Sequence, residues 1–322
     1  MSASNALLRP QPAGTRTSRH LQRCLVPALL GALAVAGAAQ SALAHEPASP
    51  RASEVPAPTA EYLPYLGFSL TEGWLDPWVH SHYSREGTPF VHLFNLEPAY
   101  LDRDFFFVYR YTREPHAIEE ELEVELEWAF TRRIGLMVEA ELEREREAGE
   151  TETELGDFKI APRFLLVEAP RFLLSTNLKL AIPMGHGDEY AFGPSITTWS
   201  DLGNWVTLQT ELGTRYGLSS GDVELFYGAG LAYTFRAPQL FAMADGEVTP
   251  GHYPSGLTTV MAELIGSSEM RGEQAGRHVF EALLGVGYSV TDAVELRAAY
   301  QFPVGGRRDI DYSTILSAIY HF

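Results

Sequence analysis

Residues 121–130 read Glu-Leu-Glu-Val-Glu-Leu-Glu-Trp-Ala-Phe. Leu122, Val124, Leu126, Trp128 and Phe130 alternate with Glu121, Glu123, Glu125 and Glu127. Glu and Leu are good helix formers. On a helix, however, residues two apart lie about 200° apart, which would scatter the apolar set over opposite faces. On a strand they share one face. The period of two therefore outweighs propensity and predicts a strand with one apolar and one acidic face.

The pattern recurs. After a turn at Arg132 and Arg133, Leu136, Val138, Ala140 and Leu142 alternate with Glu139, Glu141, Glu143 and Glu145. Further apolar faces are Phe158–Leu166, Phe172–Ile182, Val206–Leu212, Leu225–Tyr233, Phe280–Tyr288, Val294–Phe302 and Tyr312–Phe322. Weaker segments near 104–112, 190–200 and 255–268 bring the expected total to 12 strands, an even number as single-chain bacterial outer-membrane barrels have. Connections near 131–133, 167–171, 201–204 and 291–292 read as short. Those near 146–154, 183–189, 268–276 and 304–310 read as longer, and residues 236–254 are long where a short turn is expected. A soluble β-sandwich also alternates. Strand lengths of about 10–13 residues and aromatics at strand ends (Tyr227, Tyr233, Phe235, Tyr288, Tyr300, Phe302 and Tyr320) favour a membrane. The expected fold is all-β: an antiparallel transmembrane outer-membrane β-barrel of about 12 strands over 104–322.

The N-terminus reads differently. Residues 1–44 hold four arginines and no acid, then an apolar run from Cys24 to Ala39 and a small-x-small site, as a secretory signal peptide does. Cleavage is expected after Ala44. Residues 45–103 are expected to form a Pro-rich linker followed by an irregular periplasmic segment. The single cysteine, Cys24, lies in the leader, so a disulfide framework and a thiolate cluster are excluded. The formal net charge is −18, becoming −22 once the four leader arginines are removed. That acidity argues against nucleic acid as a partner.

The last strand ends Tyr320-His321-Phe322 and resembles the C-terminal signature of bacterial outer-membrane proteins. The resemblance implies that Tyr320 and Phe322 belong to the signal read by the barrel-assembly machinery. Four segments, Gly156-Asp157-Phe158-Lys159, Leu180-Ala181-Ile182-Pro183-Met184-Gly185, Ala262-Glu263-Leu264-Ile265-Gly266 and Tyr300-Gln301-Phe302-Pro303-Val304, are similar to a family of outer-membrane β-barrel channels. Some members of that family are associated with degradation of phenol and related aromatics through meta-cleavage. The resemblance implies barrel insertion in outer-membrane lipid and passage of a small solute, and it carries no catalytic residue or cofactor.

If the apolar face meets lipid, Glu121, Glu123, Glu125, Glu127, Glu139, Glu141, Glu143 and Glu145 line a lumen. The turn near Arg132 sets the two rows opposite one another, where like charges repel. They require water, cations or bases. Lys159, Arg163, Lys179, Arg215 and Arg297 fall on inward positions of other strands, with Lys159 and Lys179 expected to face one another and Glu141 to lie close to Lys159. Such a wall frames a charge-selective pore or, alternatively, neutralises itself in a filled, closed barrel with a structural or docking role. The transported solute is an aromatic compound or a cation.

Other features are weaker. His80 and His82 share a strand face near His92, but no cysteine or second paired motif accompanies them, so no metal is expected. Gly228 and Gly230 alternate in a strand, a pattern that allows close packing. His278 lies on the apolar face near a loop and His186 in a Gly-rich loop, and no serine sits in a recognisable nucleophile setting. A rim hydrolase is thus the least favoured class, and neither catalysis nor a cofactor is expected.

Overall fold

The structure is a computed structural model that describes residues 66–79, 82–84, 88–185, 189–235, 256–272, 274–291 and 293–322. The leader, the cleavage site, His80, His186 and residues 236–254 lie outside the described residues. The chain divides into two compact units, Met1–Glu61 and Tyr62–Phe322. All that follows concerns the second.

A two-residue strand, β1 (Gly67–Phe68), precedes the barrel. The barrel strands are β2 (Arg103–Arg113), β3 (Ala117–Ala129), β4 (Ile134–Glu147), β5 (Glu150–Ala169), β6 (Phe172–Ile182) and β7 (Ala191–Gly203). They continue with β8 (Val206–Gly217), β9 (Val223–Phe235), β10 (Thr258–Arg271), β11 (His278–Ser289), β12 (Val294–Gly306) and β13 (Tyr312–His321). Each pairs antiparallel with its neighbours in sequence, and β13 pairs with β2 from Tyr312↔Arg113 to His321↔Asp104. Twelve strands thus close into a barrel with no edge, so every strand's backbone has partners on both sides, as a lipid environment requires.

The two faces separate as the alternation demands. Leu212, Leu231, Leu264, Leu284, Leu296 and Leu316 all point outward and are 47–58% exposed. A continuous apolar band of this kind would aggregate in water and is stable only against lipid. The inward positions are polar and buried, among them Ser175, Asn177, Thr197 and Gln209. Aromatic rings rim the band at both ends. Tyr111, Tyr300 and Tyr312 cluster near one end, with centroids 5.8–6.3 Å apart. Trp128 and Tyr320 pack on Phe322 at the other, at 5.5 and 5.1 Å.

Residues 130–133, 170–171 and 204–205 form short turns at one end of the barrel, hereafter the turn end. At the opposite, loop end, one expectation is corrected. Residues 146–154 are not a long loop. β4 and β5 continue pairing out to Glu147↔Glu150 and reverse through Ala148 and Gly149 alone. Above the membrane band both faces become polar, so the hydropathy signal fades while the backbone ladder continues. A second correction concerns register. A bulge between Leu165 and Val167, with the turn at Pro170 and Arg171, sets Lys159 opposite Ala181 rather than Lys179.

The Ala148-Gly149 turn has φ of 50° and 91°, the left-handed region that a tight two-residue hairpin needs and a β-branched residue resists. Gly149→Val is expected to destabilise the barrel by about 1–2 kcal/mol, read as a lower urea midpoint for unfolding from lipid vesicles.

Candidate functional site: the barrel lumen

The glutamate rows sit on β3 and β4 and meet face to face. Glu121 is paired with Glu143, Glu123 with Glu141, Glu125 with Glu139 and Glu119 with Glu145. Four of the expected bases meet acids of the interior. Lys159 Nζ lies 2.6 Å from Glu139 Oε1 and also binds Glu141. Lys179 Nζ lies 3.0 Å from Glu97 and 3.7 Å from Glu139. Arg163 Nη1 binds Glu127 at 2.6 Å with both side chains 2% exposed. Arg215 reaches Asp157 at 3.5 Å near the loop end. Arg297 is placed differently: its guanidinium stacks on the Phe94 ring at 4.0 Å, and its Nε is 3.9 Å from Glu295. Arg110, on β2, adds a contact to Glu121 at 3.5 Å.

Residues 82–84 and 88–102, which precede β2, run inside the barrel. Three apolar contacts hold them. Val91, Leu93 and Leu96 pack on Ala232 and Met261. Ala99 and Tyr100 pack with Leu165, Leu173 and Trp199. Tyr83 packs on Leu257. Gly228 and Gly230 give this segment room: a Cβ on either would come within 2.4 Å of Leu96 or Leu93.

A chain threaded through a barrel has no strand partner for its own polar groups, and each unpaired buried group is costly. The wall supplies them. Gln209 Nε2 donates to the Val91 carbonyl at 2.5 Å. Glu263 accepts from the Phe94 and Asn95 amides at 2.6 and 3.0 Å, and Glu211 accepts from the Glu97 amide at 3.1 Å. Arg163 Nη2 donates to the Pro98 and Tyr100 carbonyls, and Ser175 Oγ to that of Ala99. The segment rises from the turn end, where Thr88 donates to Asp201 at 2.8 Å, to an apex at Asn95–Glu97, and returns to β2.

Above the apex lies a chamber of about 470 Å³. Its wall carries six carboxyl side chains (Glu97, Glu141, Glu143, Asp157, Glu211 and Glu224) against three bases, Lys159, Lys179 and Arg215. A second cavity of about 210 Å³ nearer the loop end is lined by Glu114, Glu119, Glu143, Glu145, Glu152 and Glu154. Both cavities are therefore lined by more carboxyl than basic side chains. Glu123 and Glu125 lie further down β3, facing Glu141 and Glu139.

Sequence reasoning missed Asn95, Glu97, Gln209, Glu211 and Glu263. The last three lie on inward positions of their strands, so the alternation carried a signal for them. Asn95 and Glu97 lie in a segment with no period, and nothing local marks them. Ser268 was also missed. It pairs across the strands with His278, whose Nδ1 is 2.8 Å from its Oγ on the outward face. Among the described residues no carboxylate is bonded to His278 to complete a hydrolytic triad.

No family model and no curated protein matches the chain. Among solved structures the fold is similar to an outer membrane channel from Pseudomonas putida F1, at a TM-score of 0.52 and 12% identity over 72% of this chain and 100% of that one. The NanC porin aligns over 68% of this chain and 100% of its own at a TM-score of 0.47 and 13% identity, a likeness too low to argue from. The first likeness establishes the outer-membrane barrel fold.

Glu263→Ala removes the acceptor for two buried amides, each of which costs about 1–3 kcal/mol when left unpaired. Hydrogen exchange at residues 90–97 is expected to accelerate while β10 and β11 keep their protection. Unchanged exchange at 90–97 would contradict the docking described.

Proposed function

We propose that this chain is an outer-membrane channel for passive diffusion of small solutes, biased toward cations by its acidic lumen. The observation that carries the reading is the chamber above Asn95–Glu97, wet in size and lined by twice as many acids as bases. In this reading the leader is cleaved near Ala44 and the barrel-assembly machinery reads Tyr320 and Phe322. Outer-membrane lipid covers the apolar band, and the turn end faces the periplasm. Mechanism is diffusion with no covalent step. The rows Glu121–Glu127 and Glu139–Glu145 act as pore charges, and Lys159, Arg163 and Lys179 hold part of them in fixed positions. The solute is a small cation or an aromatic compound, the latter supported by the resemblance of the barrel segments to channels of aromatic degradation.

A second reading is favoured by one observation. Residues 88–102 occupy the turn-end part of the lumen and bond to its wall on several sides, which fits a closed barrel that docks another component.

Planar-bilayer recording of the refolded mature chain under a salt gradient separates them. The channel reading predicts discrete steps and a cation-selective reversal potential. Glu→Gln replacement at Glu123, Glu125, Glu141 and Glu143 together is expected to move that potential toward zero. An unchanged potential sinks the charge bias, and silence from a demonstrably inserted barrel favours the closed reading.

A further inference from the structure

At the turn end, where the internal segment meets β2 and β13, five titratable side chains converge. His82, His92, Asp102, Asp104 and His321 are each no more than 5% exposed. His92 Nε2 lies 2.7 Å from Asp104 Oδ2, His321 Nδ1 lies 2.8 Å from Asp104 Oδ1, and His82 Nδ1 lies 3.5 Å from Asp102 Oδ2. The His82 and His321 rings are 4.8 Å apart. One ligand atom from each of His92, Asp102 and Asp104 falls within 4.8 Å of the others.

Two features set this cluster apart from an ordinary buried ion pair. Oδ2 of Asp102 and Oδ2 of Asp104 are both sealed from solvent, and each faces an imidazole nitrogen, His82 Nδ1 and His92 Nε2. Buried carboxylate oxygens are costly in that condition unless a cation meets them. The nearest arginine does not serve. Arg103 turns its guanidinium onto the Trp78 and Trp128 rings, at 4.4 and 4.7 Å, and donates to the Ala129 carbonyl. Metal ligation requires neutral imidazoles, so a bound ion displaces their protons, and the two carboxylates then balance one divalent charge.

We propose that His92, Asp102 and Asp104 bind a divalent first-row transition ion, zinc being the fitting case, with His82 or His321 completing the set. Mixed imidazole and carboxylate ligands without thiolate suit such an ion. Ligand atoms around zinc at bond lengths of about 2.0–2.2 Å stand roughly 3.3 Å apart, so side-chain rotations close the set seen here. His92 belongs to the internal segment and Asp104 to the wall, so the ion staples one to the other. The site is independent of what, if anything, the lumen conducts. Sequence spacing alone pointed to His80 and His82 as a pair. The three residues proposed here are brought together only by the threading of the segment.

The test uses untagged, refolded mature chain, stripped with chelator and titrated with zinc ion alone. One equivalent is expected to bind, and cobalt substitution is expected to give the visible absorption of a nitrogen–oxygen site. His92→Gln and Asp102→Asn are each expected to weaken binding by roughly tenfold or more, and His116→Gln in the exposed β2–β3 loop to leave it unchanged. Heat-modified gel mobility verifies that each variant is a folded barrel. His92→Gln changes the internal segment and not a strand, so it remains informative where an Asp104 variant does not fold. Absence of stoichiometric binding to the wild-type chain, or binding that survives both His92→Gln and Asp102→Asn, would overturn the proposal.

Discussion

Twelve strands enclose more space than their own inward side chains can fill. Lipid outside fixes which face is apolar, so the other face must take the charged residues, and the interior must then be occupied by something that satisfies them. In this protein three things share that task. Bases on β5 and β6 bind part of the glutamate rows. A segment of the same chain occupies the turn-end part of the lumen. The acidic chamber occupies the rest.

The segment and the wall are mutually dependent. The carbonyls and amides of residues 91–100 have no ladder of their own, and a fully dry channel would leave them unpaired. Gln209, Glu211, Glu263, Arg163 and Ser175 are buried polar groups that would themselves be orphaned if the segment left. Arg163 shows the economy of the arrangement: one guanidinium closes the ion pair with Glu127 and caps two carbonyls of the segment. Removing either partner of such a buried pair is expected to cost about 3–5 kcal/mol, far more than losing an exposed pair such as Arg308–Asp311.

The barrel was legible because one physical signal, the period of two, persists wherever a strand separates lipid from lumen. That signal located all twelve strands, and the alternation of Gly228 and Gly230 marked the wall's closest approach to another element. It failed in three places for identifiable reasons. Above the membrane band both faces of β4 and β5 are polar, so residues 146–154 read as a loop. The β5–β6 turn is centred between Pro170 and Arg171 rather than on Ala169, so Lys159 falls opposite Ala181 and not Lys179. The segment that precedes β2 takes its structure from side chains distant in sequence, 206 positions away in the Asn95–Gln301 hydrogen bond, and no local pattern records such partners. The His92, Asp102 and Asp104 cluster was invisible for the same reason.

Disulfide trapping tests the placement of the internal segment most directly. The chain's one cysteine, Cys24, precedes the barrel, and a Cβ at Gly230 would come within 2.4 Å of the Leu93 side chain. A Leu93→Cys, Gly230→Cys double variant, expressed and oxidised in the outer membrane, should form the intramolecular crosslink quantitatively and show it as a linked peptide by mass spectrometry. Both cysteines remaining reduced and reacting freely with an aqueous maleimide in a folded barrel would contradict a segment docked in the lumen.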